Sequence, residues 1–139
     1  MTRTVLFLCT GNSCRSQMAE GIVNHDLAGV WRAVSAGTRP SVVNPRSLRA
    51  MEELGIDISA HRSKHVDEFR DMSIDLVVTV CGNAEHDCPV WIGVAQRVHI
   101  GFDDPADATG SDDEIMAVFR RVRDEIRARI VPHLRALGG

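Results

Sequence analysis

Val5-Leu6-Phe7-Leu8-Cys9-Thr10-Gly11-Asn12-Ser13-Cys14-Arg15-Ser16 changes character twice within a dozen residues. Val5 to Leu8 is apolar on every position and too short for a helix, which predicts a strand buried on both faces. Thr10-Gly11-Asn12 then reads as a turn. From Ser16 to Leu27 the apolar residues Met18, Ala19, Ile22, Val23 and Leu27 recur at helical spacing, so a helix follows at once. A buried strand, a tight polar loop and an amphipathic helix form the first half of a parallel β-α-β unit, and this unit decides the fold.

The rest of the chain repeats the pattern. Trp31 to Ser35 predicts a short strand ending at the turn Ala36-Gly37. Asn44 before Pro45 starts a helix, because a side-chain cap precedes a residue whose missing N–H costs nothing there. Leu48, Met51 and Leu54 mark its buried face and Gly55 its end. Ser63 opens a shorter helix through Val66 and Phe69. Ile74 to Val80 is a β-branched buried strand, and Arg97 to Ile100 a weaker one. Ser111 and Glu114 form a capping box, followed by a stripe of Ile115, Val118, Phe119, Val122, Ile126, Ile130 and Leu134. The expected fold is α/β: one domain over residues 1–139, a four-stranded parallel sheet with helices on both faces. Ligands gather at the carboxyl ends of such strands. Cys9 follows the first strand, Cys81 the third and Asp104 the fourth.

Composition removes several classes of function. The 139 residues are 44% hydrophobic and 25% charged, enough for a packed core. The longest apolar run, Val5 to Cys9, is far too short to cross a membrane, and no secretory signal is recognisable. A cytoplasmic protein is expected, without a membrane partner. Sixteen basic against 19 acidic residues give a net charge of −3 and no case for nucleic acid. Fifteen of the basic residues are Arg, and six of them lie between Arg120 and Arg135, where a solvated helix face is the expectation. Four Cys in such a chain point to nucleophilic, redox or metal chemistry rather than to structural disulfides.

The loop Thr10-Gly11-Asn12-Ser13-Cys14-Arg15-Ser16 suits a tetrahedral oxyanion. Gly11 and Asn12 tolerate left-handed backbone, so successive N–H groups can point inward, and the following helix adds its positive end. Arg15 offers a planar fork for two oxygens. This field favours Cys9 as a thiolate nucleophile. Cys14 reads as a packing residue. Gly-Lys-Ser/Thr is missing, so the loop is not a nucleotide P-loop.

Taken together, Cys9 to Glu20, Ser35-Ala36-Gly37, Asn44-Pro45, Asp57-Ile58-Ser59, Asp75 to Thr79, the pair Cys81 and Cys88 with Pro89, and Gly101 to Ala106 resemble the thioredoxin-coupled arsenate reductases, which share the low-molecular-weight protein tyrosine phosphatase fold. The resemblance implies Cys9 as first nucleophile, Arg15 as oxyanion clamp and Asp104 as general acid. It also implies Ser16 as a hydroxyl supporting the Cys9 thiolate and Asn12 as the residue fixing loop shape. Asp103 competes for the acid role, although alternation turns it elsewhere, while Pro105 holds Asp104 in an extended backbone.

Reductase and phosphatase begin alike, so the alternative is a tyrosine phosphatase. Reduction of arsenate needs two electrons, and Cys81 and Cys88 can supply them through a Cys9-Cys81 and then a Cys81-Cys88 disulfide. Ala106 follows Asp-Pro where the phosphatases carry tyrosines, and the chain has no Tyr. No bound cofactor is expected. Electrons are expected from thioredoxin, with glutaredoxin and glutathione as the second option, and the chain is expected to be a monomer. A zinc module using the four Cys and His86 is disfavoured by loose spacing and by Arg15 beside the ligands. The other five His read as surface or hydrogen-bonded residues. Some relatives hold potassium beside the loop, using Asn12, Glu20, Ser35 and an acidic residue where this chain has Lys64. Here the Lys64 ammonium is expected to replace the ion's charge, and no metal site is expected.

Overall fold

A computed structural model describes residues 2–82, 91 and 95–138. Its sheet contains β1 (Arg3–Leu8), β2 (Trp31–Ala36), β3 (Leu76–Thr79) and β4 (Gln96–His99), all parallel in the order β2-β1-β3-β4. The helices are α1 (Arg15–Asp26), α2 (Pro45–Glu52) and α3 (Asp112–Gly138), with 3-10 turns at Val66–Phe69 and Pro105–Asp107. The α/β expectation holds. β1 is central because it is buried on both faces. Val5 and Phe7 join a cluster with α1, α2 and α3, whereas Leu6 and Leu8 face a smaller one with Val66, Phe69 and Trp91. Among the described residues the two covers are therefore unequal: three α-helices on one face, a 3-10 turn and one tryptophan on the other.

Two local signals act as read, but Ser63 does not open the short helix: His65 caps Val66–Phe69, and Ser63 Oγ bonds Gly11 O and Ser41 N–H instead. Asn44 accepts a bond from the Arg46 N–H at 2.9 Å, capping α2. Glu114 N–H donates to Ser111 Oγ at 3.1 Å and Ser111 N–H to Glu114 Oε1 at 3.2 Å, so both arms of the capping box close. Helix α1 begins one residue earlier than expected, at Arg15, and therefore inside the loop itself. Arg15 thus rides on the first helical turn, where its backbone is fixed by helical bonding. Gly37 explains how tightly loop and sheet meet. A Cβ there would stand 2.3 Å from the Thr10 carbonyl oxygen and 2.7 Å from that of Cys9. Gly37 cannot retreat, because its N–H donates to Lys64 O and its own carbonyl accepts from Val66 N–H, each at 2.9 Å. No helix among the described residues is long and apolar enough to cross a membrane.

Candidate active site

The loop after β1 is held from outside by its carbonyls. Thr10 O accepts from Arg39 N–H at 2.9 Å, Gly11 O from Ser41 N–H at 3.3 Å and from Ser63 Oγ at 3.0 Å, and Ser13 O from Asn44 N–H at 3.1 Å. Asn12 O accepts from Gln17 Nε2 at 3.2 Å. In a planar trans peptide the N–H points opposite to the carbonyl. Tying these four carbonyls outward therefore turns the N–H groups of Gly11, Asn12, Ser13 and Cys14 toward the inside of the curl. Asn12 supplies the bend, with φ +46°, and Gly11 stays out of the left-handed region. The two residues were expected to share that role.

Inside the curl is a cavity of about 40 Å³ lined by Cys9, Gly11, Ser13, Cys14, Arg15, Asp104 and Ala106. Its size suits one small tetrahedral anion. A larger surface groove of about 420 Å³ is lined by Leu48, Glu52, Gly55, Ile56, Asp57 and Ser59, where two carboxylates and no cation would repel the same anion.

Behind Cys9 the hydrogen bonds fix which way the Asn12 amide faces. Asn12 Oδ1 accepts from Lys64 N–H and Gln17 Nε2, each at 2.9 Å, so its amide nitrogen must face the other way. That nitrogen donates to Ser16 Oγ at 2.8 Å and to Ser35 Oγ at 3.0 Å. Ser35 in turn donates to Glu20 Oε1 at 2.7 Å. Ser16 Oγ lies 2.9 Å from Cys9 Sγ, and once Cys9 is a thiolate the Ser16 hydroxyl is the donor of that bond. Asn12, Ser16 and Ser35 are fully buried. Cys14 behaves differently: burial pushes its thiol up to about 11, only partly offset by Ser47 and Ser13, so it stays protonated at neutral pH.

Asp104 enters from the opposite wall. Its Oδ1 accepts from Ala106 N–H at 3.0 Å, and its Oδ2 lies 3.4 Å from Arg15 Nη2. Arg15 also donates to Phe102 O at 3.2 Å. Asp103 turns outward to Arg121 at 3.1 Å and is three-quarters exposed. Cys81 is wholly buried. Val80 N–H donates to Leu8 O at 2.9 Å, so Cys81 leaves β3 where Cys9 leaves the adjacent β1. Parallel strands run about 5 Å apart, and the two sulfur-bearing residues share one apolar cluster. The fold therefore brings Cys9, Arg15, Asp104 and Cys81 to one end of the sheet. Cys88, like His86 and Pro89, lies outside the described residues.

Two residues without a local signal join the site. Gln17 Oε1 faces His61 Nδ1 at 3.0 Å, and His61 Nε2 lies 3.2 Å from Glu20 Oε2. Burial lowers the His61 pKa, the neighbouring Glu20 opposing it. Lys64 Nζ donates to Arg62 O at 2.8 Å and stands 3.6 Å from Glu20 Oε1, its pKa also lowered by burial. An ammonium thus fills the surroundings of Glu20, and this donor set does not fit a second cation.

The model of the low molecular weight phosphotyrosine protein phosphatase family matches residues 4–138. An arsenate reductase from Halalkalibacterium halodurans is 53% identical over 128 residues, 92% of each chain. A solved arsenate reductase in its phosphate-binding state superposes with a TM-score of 0.73 at 30% identity, covering 96% of this chain and 98% of that one. A thioredoxin-dependent arsenate reductase from Corynebacterium glutamicum gives 0.67 at 26% identity, covering 97% of this chain and 63% of its own.

Proposed function

The chain belongs to the low molecular weight phosphotyrosine protein phosphatase family, and from that premise we propose that it is an arsenate reductase re-reduced by thioredoxin. The observation that carries this reading is the buried thiol of Cys81 at the strand end beside Cys9. Hydrolysis of a phosphate ester has no use for a second cysteine there, whereas a two-electron reduction does.

Arsenate enters the loop, where the inward N–H groups and Arg15 hold its oxygens. The Cys9 thiolate, supported by Ser16, attacks arsenic. An As–O bond breaks, and Asp104 protonates the departing oxygen, which leaves as water. The Cys81 thiolate then attacks Cys9 sulfur. An S–S bond forms, the S–As bond breaks, and its electron pair goes to arsenic, which departs as arsenite in the +3 state. Cys88 attacks Cys81 and returns Cys9 as thiolate, so two thiols have lost two electrons. The dithiol of thioredoxin reduces Cys81-Cys88. No bound cofactor is involved, and the Lys64 ammonium takes the place of a potassium ion beside Glu20. The described residues of the cavity all come from one chain, which supports a monomer. Thiols that must start each cycle reduced suit the cytoplasm.

The test is arsenate-dependent NADPH oxidation with thioredoxin and thioredoxin reductase, repeated with glutaredoxin and glutathione. Turnover with the first system is expected. Turnover only with the second replaces the electron donor. Hydrolysis of a small aryl phosphate with no arsenate-dependent oxidation in either system overturns the reductase reading in favour of a phosphatase. Cys88→Ser sharpens the relay: it should release one arsenite per chain and then stall as a Cys9-Cys81 disulfide, seen by mass spectrometry.

A further inference from the structure

The loop carrying Asp104 is gripped from outside the cavity by α3. Arg129 Nη1 donates to Gly101 O at 2.9 Å, and its guanidinium carbon lies 4.7 Å from the centre of the buried Phe102 ring. Eight residues earlier, two turns along the same helix, Arg121 reaches Asp103 at 3.1 Å. Phe102 is the point where these forces meet the site. Its N–H donates to Val80 O at 3.2 Å, its carbonyl accepts from Arg15, and Asp104 is two residues on. Pro105 restricts the backbone of Asp104, so where Gly101, Phe102 and Asp103 sit largely determines where the carboxyl group sits.

We propose that Arg129, seconded by Arg121, is a positioning residue for the Asp104 general acid, acting through the stacked and hydrogen-bonded Gly101-Phe102 segment. Neither arginine lines the cavity, so neither is a catalytic residue. Both lie on the exposed side of α3, where substitution leaves the core intact. The inference rests on the proposed function only in taking Asp104 as the acid. It concerns the protonation step that ester hydrolysis and arsenate reduction share.

Aryl phosphates of graded leaving-group acidity provide the test, used on the full chain with Arg129→Gln, Arg129→Lys, Asp104→Asn and the Arg129→Gln/Asp104→Asn double variant. A correctly placed acid is worth about 10²- to 10⁴-fold, and a slight displacement should forfeit part of that. Arg129→Gln should therefore lower kcat about tenfold for the poorest leaving groups and much less for the best. KM and phosphate inhibition should stay within about twofold, because the anion loop is untouched. Arg129→Lys, which keeps a cation over the ring, should recover part of the loss. In the Asp104→Asn background Arg129→Gln should add nothing further. A loss equal for all leaving groups, a loss that multiplies with Asp104→Asn, or no loss overturns the proposal and returns Arg129 to a stabilising surface role. If ester hydrolysis is too slow to measure, the same double-variant cycle is read on arsenate turnover. Absence of arsenate reduction with the leaving-group dependence intact would sink the reductase reading and leave this proposal standing. A chain with neither activity overturns both.

Discussion

The two walls of the cavity are built on opposite plans. Behind Cys9, Asn12, Ser16, Ser35, Gln17 and Glu20 are buried at nine-tenths or more and joined in one hydrogen-bond network. Across the cavity Asp104 is 29% exposed and reaches Arg15 only at 3.4 Å, while its loop is held by arginines at the surface. The difference follows from what each wall must do. A thiolate has to be stabilised before substrate arrives, which requires fixed dipoles in a dry place. An acid must gain and lose a proton in every cycle, which requires access to water. Buried polar networks are costly to break. The first wall should therefore couple activity to stability, and the second should not.

Four experiments can break or sharpen that contrast. Cys9→Ser removes the atom on which both walls converge, and should abolish arsenate reduction and ester hydrolysis together; residual turnover of either would locate the nucleophile elsewhere. Next in size is Asp104→Asn, which should slow the first chemical step by on the order of 10²-fold or more. Its melting temperature should stay unchanged, and Asp103→Asn should slow the rate far less, by no more than the Arg121 contact contributes. Reversed effects would hand the acid role to Asp103. Asn12→Ala probes the other wall. It strands the Lys64 N–H donor and removes the donor to Ser16 and Ser35 oxygens, so it should cost about 1–3 kcal/mol of stability. Turnover should fall as well, roughly tenfold, through the Ser16 bond to Cys9. A rate loss with no change in denaturation midpoint would mean the wall is not one cooperative unit. The smallest effect is expected from replacing potassium by sodium at constant ionic strength: none, because the Lys64 ammonium already stands beside Glu20. Saturable activation by potassium would show that the ammonium does not substitute for the ion.

Legibility in the sequence divides along the same line. The strand, loop and helix from Val5 onward, the Asn44 cap and the Ser111-Glu114 box are local, each written within a few adjacent residues, and each forms within two residues of where it is read. The placement of Cys9, Arg15 and Asp104 around one cavity was also foreseeable, because strand ends in a parallel sheet converge. What escaped notice depends on contacts between distant residues. His61 meets Gln17 across 44 positions, and no spacing rule announces it. Arg129 meets Gly101 across 28. The arginines of α3 read as a solvated face because their carboxylate and carbonyl partners lie on other elements. Arg123, for example, is nearly buried and donates to Ala50 O at 2.8 Å and Glu53 at 2.9 Å. The Glu53 carboxyl is held down to about 2, first by its bond from Arg120 and then by Arg123, though it remains open enough to water that the pair contributes little to stability. Asn12 rather than Gly11 taking the left-handed backbone has a similar origin. Glycine is free to adopt it, but Asn12 is pinned there by bonds to Ser16 and Gln17 nearby and, from elsewhere in the fold, to Ser35 and Lys64.

Gly37 sets a limit on how this protein can vary. The missing side chain leaves less than one methyl group's width between β2's exit and the Cys9-Thr10 peptide, and both neighbouring segments are hydrogen-bonded in place. Alanine, the smallest alteration the genetic code allows there, already acts as a wedge under the reacting sulfur. Selection for a new substrate can rework the rim at Ala106 in small steps, but it has no gradual path through position 37. Any library built on this scaffold should hold that position fixed.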